Sequence, residues 1–203
     1  MYRIRFHGRG GQGMKTASRI LGTALFRGGF QVQDAPRYGA ERRGAPMFAF
    51  VRAAREPILE RGIITNPDLV LVADDSLVGI PAAGVMAGLR TDTVLAIASD
   101  TDADTWRHRL HINNPVVILP GIDTDDDDTH IPDTSAQCAG AAAALIGKVS
   151  RVVLTEAVTE ETSGFGALAL EANLETALAA FDAIGLQTGS AVEGAAYDVA
   201  SSV

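Results

Sequence analysis

Cysteine is almost absent from this sequence, with Cys138 the single example among 203 residues. One thiol cannot form an internal disulfide, and it cannot hold an iron–sulfur cluster alone, because such clusters are typically bound by four thiolates. No apolar run approaches the roughly 20 residues of a membrane span, and no charged-then-apolar signal opens the chain. We therefore expect a cytoplasmic protein that makes no membrane contact.

Aromatic residues are also scarce, at 5% of the chain, and the net charge is −8, so nucleic acid is not expected as a partner. The charge is unevenly distributed. Residues 1–62 hold twelve of the 17 lysines and arginines but four of the 25 acidic residues, which gives +8 there and −16 in the remainder. A basic first part indicates an anionic ligand or an acidic partner surface.

None of the candidate metal or catalytic clusters has the residues that such a site requires at the required spacing. Alternate aspartates within 123–127 imitate the start of a calcium loop, but Asp128 stands where that loop needs glycine and the closing glutamate is missing. His108 and His111 share a helix face without a third ligand. No Ser/His/Asp or Cys/His set is evident. The sequence predicts no metal site and no catalytic residue.

Apolar periodicity predicts strands alternating with helices. The predicted strands cover residues 2–7, 30–33, 47–54, 69–73, 93–98 and 115–119, and the predicted helices 14–27, 76–89, 102–112 and 167–184. An alanine- and glycine-rich stretch over 136–149 is expected to pack closely against another element, and 151–166 to be a connection. This order predicts an α/β three-layer sandwich with a mostly parallel central sheet and a Rossmann-like start.

Two further predictions concern the pairing of the strand at 47–54 and the extent of the domain. Because a proline- and glycine-rich loop over 35–46 leads into the strand at 47–54, that strand is a candidate for antiparallel pairing, which would make the sheet mixed. Residues 1–184 are expected to form one domain, followed by a C-terminal arm or tail over 185–203.

A glycine-rich turn between the first strand and the first helix predicts an anion cradle. Four glycines from Gly8 to Gly13 allow close approach of backbone N–H groups, and the helix adds the positive end of its dipole. Gly8-x-Gly10-x-x-Gly13 with Asp34 further on also fits a stand-alone NAD(P)-binding dehydrogenase, although no second crossover helix follows. A triphosphate loop is disfavoured, because Met14 puts Lys15 one residue out of register. A binding module without enzymatic context is a third alternative.

The glycine turn and the segment after Asp34 are more specific together than apart. Gly8 to Gly13 with Thr16, and then Pro36 to Pro46 with its Glu-Arg-Arg-Gly-Ala-Pro ending, resemble the gamma subunit of the 2-oxoacid:ferredoxin oxidoreductases. The similarity continues through residues 48–52, 56–58, 64–68 and Asp74, and it weakens after about residue 80.

The resemblance implies a non-catalytic gamma subunit, inactive alone, in a complex that converts a 2-oxo acid (pyruvate favoured) and coenzyme A to acyl-CoA and carbon dioxide. Electrons pass to ferredoxin or flavodoxin. Thiamine diphosphate, magnesium and iron–sulfur clusters are expected on partner alpha, beta and ferredoxin-like delta subunits. The residues expected near the phosphates of coenzyme A are Gly8, Arg9, Gly10, Gly11, Gln12, Gly13, Lys15 and Thr16. Those expected at a subunit interface or near coenzyme A are Arg37, Tyr38, Glu41, Arg42 and Arg43.

Overall fold

One mixed six-stranded sheet organises the protein, whose computed structural model describes residues 1–37, 44–119 and 134–194. The strands are β1 (Tyr2–Arg9), β2 (Gln31–Arg37), β3 (Pro46–Ala54), β4 (Leu69–Val72), β5 (Val94–Ala98) and β6 (Val116–Leu119), in the order β2-β3-β1-β4-β5-β6. The pairs β1–β4, β4–β5 and β5–β6 are parallel, whereas β1–β3 and β2–β3 are antiparallel. The predicted α/β class is confirmed, and the pairing left open at β3 is antiparallel.

Five α-helices flank this sheet within the described residues. They are α1 (Met14–Arg27), α2 (Ala103–Leu110), α3 (Thr134–Ile146), α4 (Arg151–Thr162) and α5 (Ala167–Ala183). Helices α1 and α3 pack with one face of β1, β3 and β4 in the larger hydrophobic core, and α4 and α5 add residues to the same core. The other face of β4 and β5 packs in a second core with α2 and the segment 77–89.

Three predicted segments are wrong in type or in extent, each for a local reason. Residues 76–89 contain two short 3₁₀ turns, Asp75–Leu77 and Pro81–Ala83, because Pro81 and a left-handed Gly84 interrupt a helix. The predicted connection over 151–166 is mostly helix α4, whose first turn is capped by the Ser150 side chain accepting from the Val153 N–H. The predicted loop over 35–46 is too long at both ends, since β2 runs to Arg37 and β3 starts at Pro46.

The start of the predicted C-terminal arm lies on this chain. The Gly189 and Ala191 N–H groups donate to the carbonyl oxygens of Ala144 and Leu145 at the end of α3. The Glu193 carboxylate pairs with the N-terminal ammonium at 2.6 Å. Residues 185–194 therefore pack against α3 and the start of β1.

Strand β1 buries a row of three basic residues, two arginines and a histidine, on the face that the sequence predicts to be polar. Arg3, Arg5 and His7 are 2, 4 and 2% exposed. Arg3 donates to both oxygens of Glu60, at 2.6 and 3.1 Å, and Arg5 donates to the Val85 carbonyl at 2.9 Å. Burial lowers the pKa of Arg5 to about 10. Much of the basic charge near the N-terminus is thus paired or hydrogen-bonded inside the molecule.

His7 lies on the same face of β1 as Arg3 and Arg5, and its imidazole is neutral. Its Nδ1 lies 3.0 Å from the Ala83 carbonyl oxygen, and its ring meets Phe48 edge-on. Burial, with the nearby charge of Arg5, lowers the pKa of His7 to about 3, despite the opposing hydrogen bond to Ala83. Because the neutral ring donates from Nδ1, it presents an unprotonated Nε2.

Replacing Glu60 by glutamine should destabilise the folded chain in a pH-dependent way. The hydrogen bond from Arg3 is the main cause of a lowered Glu60 pKa, relative to the usual 4.5. A lowered folded pKa contributes stability that is complete above about 4.5 and is lost as the pH falls through the folded value. Urea unfolding should show Glu60→Gln about 1 kcal/mol less stable at neutral pH, with the difference vanishing in acid. The exposed Glu56→Gln is the control, and a pH-independent difference would contradict the ion-pair account.

Substituting Gly140 should disrupt the contact between α3 and α5. A methyl group there would lie 2.0 Å from the Ala177 carbonyl oxygen, so one helix would have to move. We expect Gly140→Ala to cost about 1–3 kcal/mol by urea unfolding, although alanine favours helix more than glycine does. At Gly164 an added methyl would meet nothing within 4 Å, which makes Gly164→Ala the matched control. Equal stability of the two variants would contradict the close approach.

Candidate functional site

The glycine turn connects the carboxyl end of β1 to the amino end of α1. Gly11 and Gly13 have φ values of 102° and 69°, a region that favours glycine, and Gly13 is the N-cap residue of α1. The turn is closed by its own contacts. The Gln12 N–H donates to the Arg9 carbonyl at 3.0 Å, and the Arg9 N–H donates to Gln12 Oε1 at 2.7 Å. Gln12 therefore fixes the shape of the turn with its side chain.

A buried contact explains why the turn begins with glycine. A methyl group on Gly8 would lie 2.6 Å from Met14 Cγ, and Met14 is fully buried at the start of α1. Lys15 in the next position is exposed, and Thr16 is half-buried. The first-turn N–H groups of a helix have no intrahelical acceptors, so this end of α1 is electropositive. The predicted order of strand, glycine turn and helix is present.

Arg9 ties the turn to two other strands. Its Nε donates to Asp74 Oδ2 at 2.6 Å, Nη1 donates to the Gly44 carbonyl at 2.9 Å, and Nη2 donates to Ser76 Oγ at 2.6 Å. Asp74 follows β4 and also accepts from the Ser76 N–H. Burial alone would raise the pKa of Asp74, but the hydrogen bonds from Ser76 and Arg9 outweigh it and hold that pKa below its usual value. The carboxylate therefore remains ionised opposite Arg9.

The turn also contacts the end of the segment that resembles the gamma subunits. The Gly10 N–H donates to the Ala45 carbonyl at 2.9 Å, and the Gly44 N–H donates to the Gly10 carbonyl at 3.2 Å. These bonds continue the β1–β3 ladder past Pro46. The structure thus brings the predicted turn residues together with Gly44 and Ala45. Arg37 ends β2, and the predicted residues Tyr38, Glu41, Arg42 and Arg43 lie outside the described residues.

Asp34 does not occupy the position that a dinucleotide site requires. It lies within β2, which is antiparallel to β3, and β3 separates it from β1. Its side chain faces α1 near Gly22. Burial raises the pKa of Asp34, with the Ser18 hydroxyl and the charge of Arg19 acting in the opposite direction. The NAD(P)-dependent alternative loses its acidic partner residue, because that residue belongs beside the glycine turn on a neighbouring parallel strand.

Sequence reasoning missed several residues around the turn. Asp74 and Ser76 follow the apolar run of β4, and that position could have indicated them, since parallel strands end at a common edge. Thr134 and Ser135 start α3, with Ser135 against Gly13, and no sequence pattern connects them to the turn. Across the described residues, no group of three metal-ligating side chains occurs and no helix is long and apolar enough to cross a membrane.

Comparisons with known proteins agree on one family. The model of the pyruvate ferredoxin/flavodoxin oxidoreductase family matches residues 3–183. The pyruvate synthase subunit PorC of Thermotoga maritima is 40% identical over 122 residues, which are 60% of this chain and 62% of the relative's length. The common gamma subunit of the pyruvate/ketoisovalerate oxidoreductases of Pyrococcus furiosus is 35% identical over 165 residues, 81% of this chain and 88% of that subunit.

A solved structure shows the same fold. The crystal structure of the PORC subunit of pyruvate oxidoreductase from Thermotoga maritima superposes with a TM-score of 0.69 at 28% identity. The match covers 89% of this chain and 95% of that one. The architecture described above is therefore shared by a chain of similar extent.

A double-mutant cycle on Arg9 and Asp74 should reveal their coupling. Arg9→Met and Asp74→Asn each remove one side of the pair, whose side chains are 31 and 20% exposed. Because water screens part of this interaction, we expect a coupling energy of about 1 kcal/mol by urea unfolding at neutral pH. Arg27 and Glu156, an exposed ion pair between α1 and α4, provide the control cycle with smaller coupling. Strictly additive effects at Arg9 and Asp74 would contradict the proposed tie.

Proposed function

The chain belongs to the pyruvate ferredoxin/flavodoxin oxidoreductase family, in which its relatives are gamma subunits, and from this premise we propose its role. It serves as the non-catalytic gamma subunit of a complex that oxidatively decarboxylates a 2-oxo acid, with pyruvate favoured. The complex transfers the acyl group to coenzyme A, releases carbon dioxide and passes two electrons to ferredoxin or flavodoxin. The observation that carries this proposal is the braced glycine turn against Gly44 and Ala45.

The chain's own chemistry supports a division of labour among subunits. Its single thiol, Cys138, is fully buried in α3, and burial raises its pKa to about 12, so it is not a nucleophile at neutral pH. One cysteine also cannot hold a cluster by itself. From the family relationship we propose that thiamine diphosphate, magnesium and the iron–sulfur clusters are held by alpha, beta and ferredoxin-like delta partners. On this proposal the purified gamma chain alone turns over no substrate.

The glycine turn is the part of this chain that faces coenzyme A. The backbone from Gly8 to Gly13 and the first turn of α1, with Lys15 and Thr16, would offer N–H donors and positive potential to the phosphates. Arg9 acts as a brace, because its guanidinium already donates to Asp74, Gly44 and Ser76. It therefore positions the turn, while other groups make the phosphate contacts.

The segment that ends at Gly44 supplies the boundary with a neighbouring subunit. Arg37, Tyr38, Glu41, Arg42 and Arg43 are proposed to contact that subunit or the coenzyme A that lies between the chains. Arginine suits either role, because its planar fork binds both carboxylates and phosphates. The Gly10–Ala45 and Gly44–Gly10 hydrogen bonds support this proposal, since they hold the base of the segment against the glycine turn.

Removing Arg42 and Arg43 together tests the proposal. In the reconstituted complex, Arg42→Ala with Arg43→Ala should raise the KM for coenzyme A about tenfold, or weaken assembly, because charge-assisted contacts are lost. Steady-state kinetics and size-exclusion chromatography with the partner subunits measure both effects. The matched control is Arg107→Ala with Arg109→Ala on α2, which changes the charge equally. An intact complex with unchanged kinetics would remove these arginines from the site.

A further inference from the structure

Strand β2 forms one edge of the sheet, and its outward backbone groups follow from the register. In the described residues it pairs with β3 alone. The carbonyl oxygens of Arg3 and His7 in β1 accept hydrogen bonds on the β4 side. Alternate residues of β1 therefore bond to β3, and this alternation, carried across both registers, turns the backbone of Val32 and Asp34 away from β3. No described residue donates to or accepts from these outward groups.

A cavity of about 570 Å³ lies beside this edge, between β2, α1 and α4. Val32 and Asp34 line it, since both side chains face Gly22 of α1. Its apolar part is Phe26, which is 65% exposed, together with half-buried Val32. Binding pockets in proteins commonly measure about 300–1,000 Å³. The two residues that present free backbone groups at the edge thus also form a wall of the cavity.

The lining of this cavity has an excess of negative charge. Arg19 pairs with Glu161 at 2.8 Å, and Arg27 pairs with Glu160 at 2.7 Å. Asp34 is the third carboxylate of the lining, and it forms no ion pair with any described residue. A carboxylate beside apolar surface is stabilised by an opposite charge, so a cation with an apolar neighbour complements this cavity.

We propose that β2 is the attachment edge for an extended segment of a partner subunit, which adds a strand to the sheet and places a lysine or arginine beside Asp34. The inference rests on the proposed function, because the partner is a subunit of that complex. Main-chain hydrogen bonds to Val32 and Asp34 provide affinity. The cation at Asp34, and an apolar side chain two residues away against Val32 and Phe26, provide specificity. Pro36, the next outward residue, has no N–H, so the pairing is short.

A second copy of this chain is a poorer occupant of the edge. It would bring the same excess of negative charge to the contact. The antiparallel register that uses Val32, Asp34 and Pro36 would also place the two Asp34 carboxylates opposite each other, and like charges at opposed positions destabilise a strand pair. The charge of the cavity therefore favours a different chain with a basic segment.

Hydrogen exchange of the full chain, alone and in the assembled complex, tests the added strand. We expect the amides of Val32 and Asp34 to exchange about tenfold or more slowly in the complex, because they donate to the partner there. The measurement is mass spectrometry with fragmentation to single residues. The amides of Gln33 and Ala35 face β3 with or without a partner, so they are the internal control.

Substitution of Asp34 tests the cation. Asp34→Asn should weaken binding to the partner subunits about tenfold, and Asp34→Lys should weaken it further, as a change in Kd. Glu171→Gln and Glu171→Lys, at an exposed position of α5, are the matched controls and should bind as the wild type does. Because burial raises the pKa of Asp34, its charge does not stabilise the fold. Urea unfolding should therefore find Asp34→Asn at least as stable as the wild type.

The outcomes distinguish this inference from the proposed function. A complex that forms while Val32 and Asp34 exchange as fast as in the free chain would overturn the added strand and leave the proposed function standing. Slow exchange with unchanged binding by Asp34→Lys would overturn the recognition of a basic segment. Failure of the wild-type chain to assemble with any such subunit would reject the proposed function and this inference with it.

Discussion

The Arg9–Asp74 ion pair is the contact on which the geometry of the site depends. It joins the end of β1 to the end of β4, and the same guanidinium reaches Gly44 before β3. Three chain segments, distant in sequence, are thereby held around a turn that contains two left-handed glycines. Preorganised donors bind an anion more strongly than mobile ones, because less ordering accompanies binding. The ion pair thus holds a glycine-rich turn, which would otherwise be flexible, in one conformation.

The uneven charge of the sequence has a partly internal explanation. Arg19 pairs with Glu161, and Arg27 pairs with Glu156 and Glu160, so basic α1 and acidic α4 neutralise each other across a helix contact. Arg3 and Arg5 are buried side chains of β1. The prediction that a basic first part serves an external anion or partner therefore applies to fewer side chains than the composition suggests.

Sequence reasoning succeeded where the determinants are local. Period-two alternation predicted β1, and the spacing of the glycines predicted the turn and the start of α1. Both predictions succeeded because neighbouring residues in the sequence determine these features. It failed at α4, where few positions are buried, Leu154, Ala157 and Val158 among them, and so the apolar stripe is narrow. It also could not find Ser135. That residue meets Gly13 only because α3 packs beside α1, a contact across more than a hundred residues.

The neutral imidazole of His7, the residue just before the glycine turn on β1, has a consequence for how the subunit responds to acidity. With a pKa of about 3, His7 gains no proton over the range in which the cell interior varies. His7 therefore contributes no change of charge next to the turn over that range. In the proposed complex, which releases carbon dioxide, this part of the subunit would keep its charge when the product acidifies the surroundings.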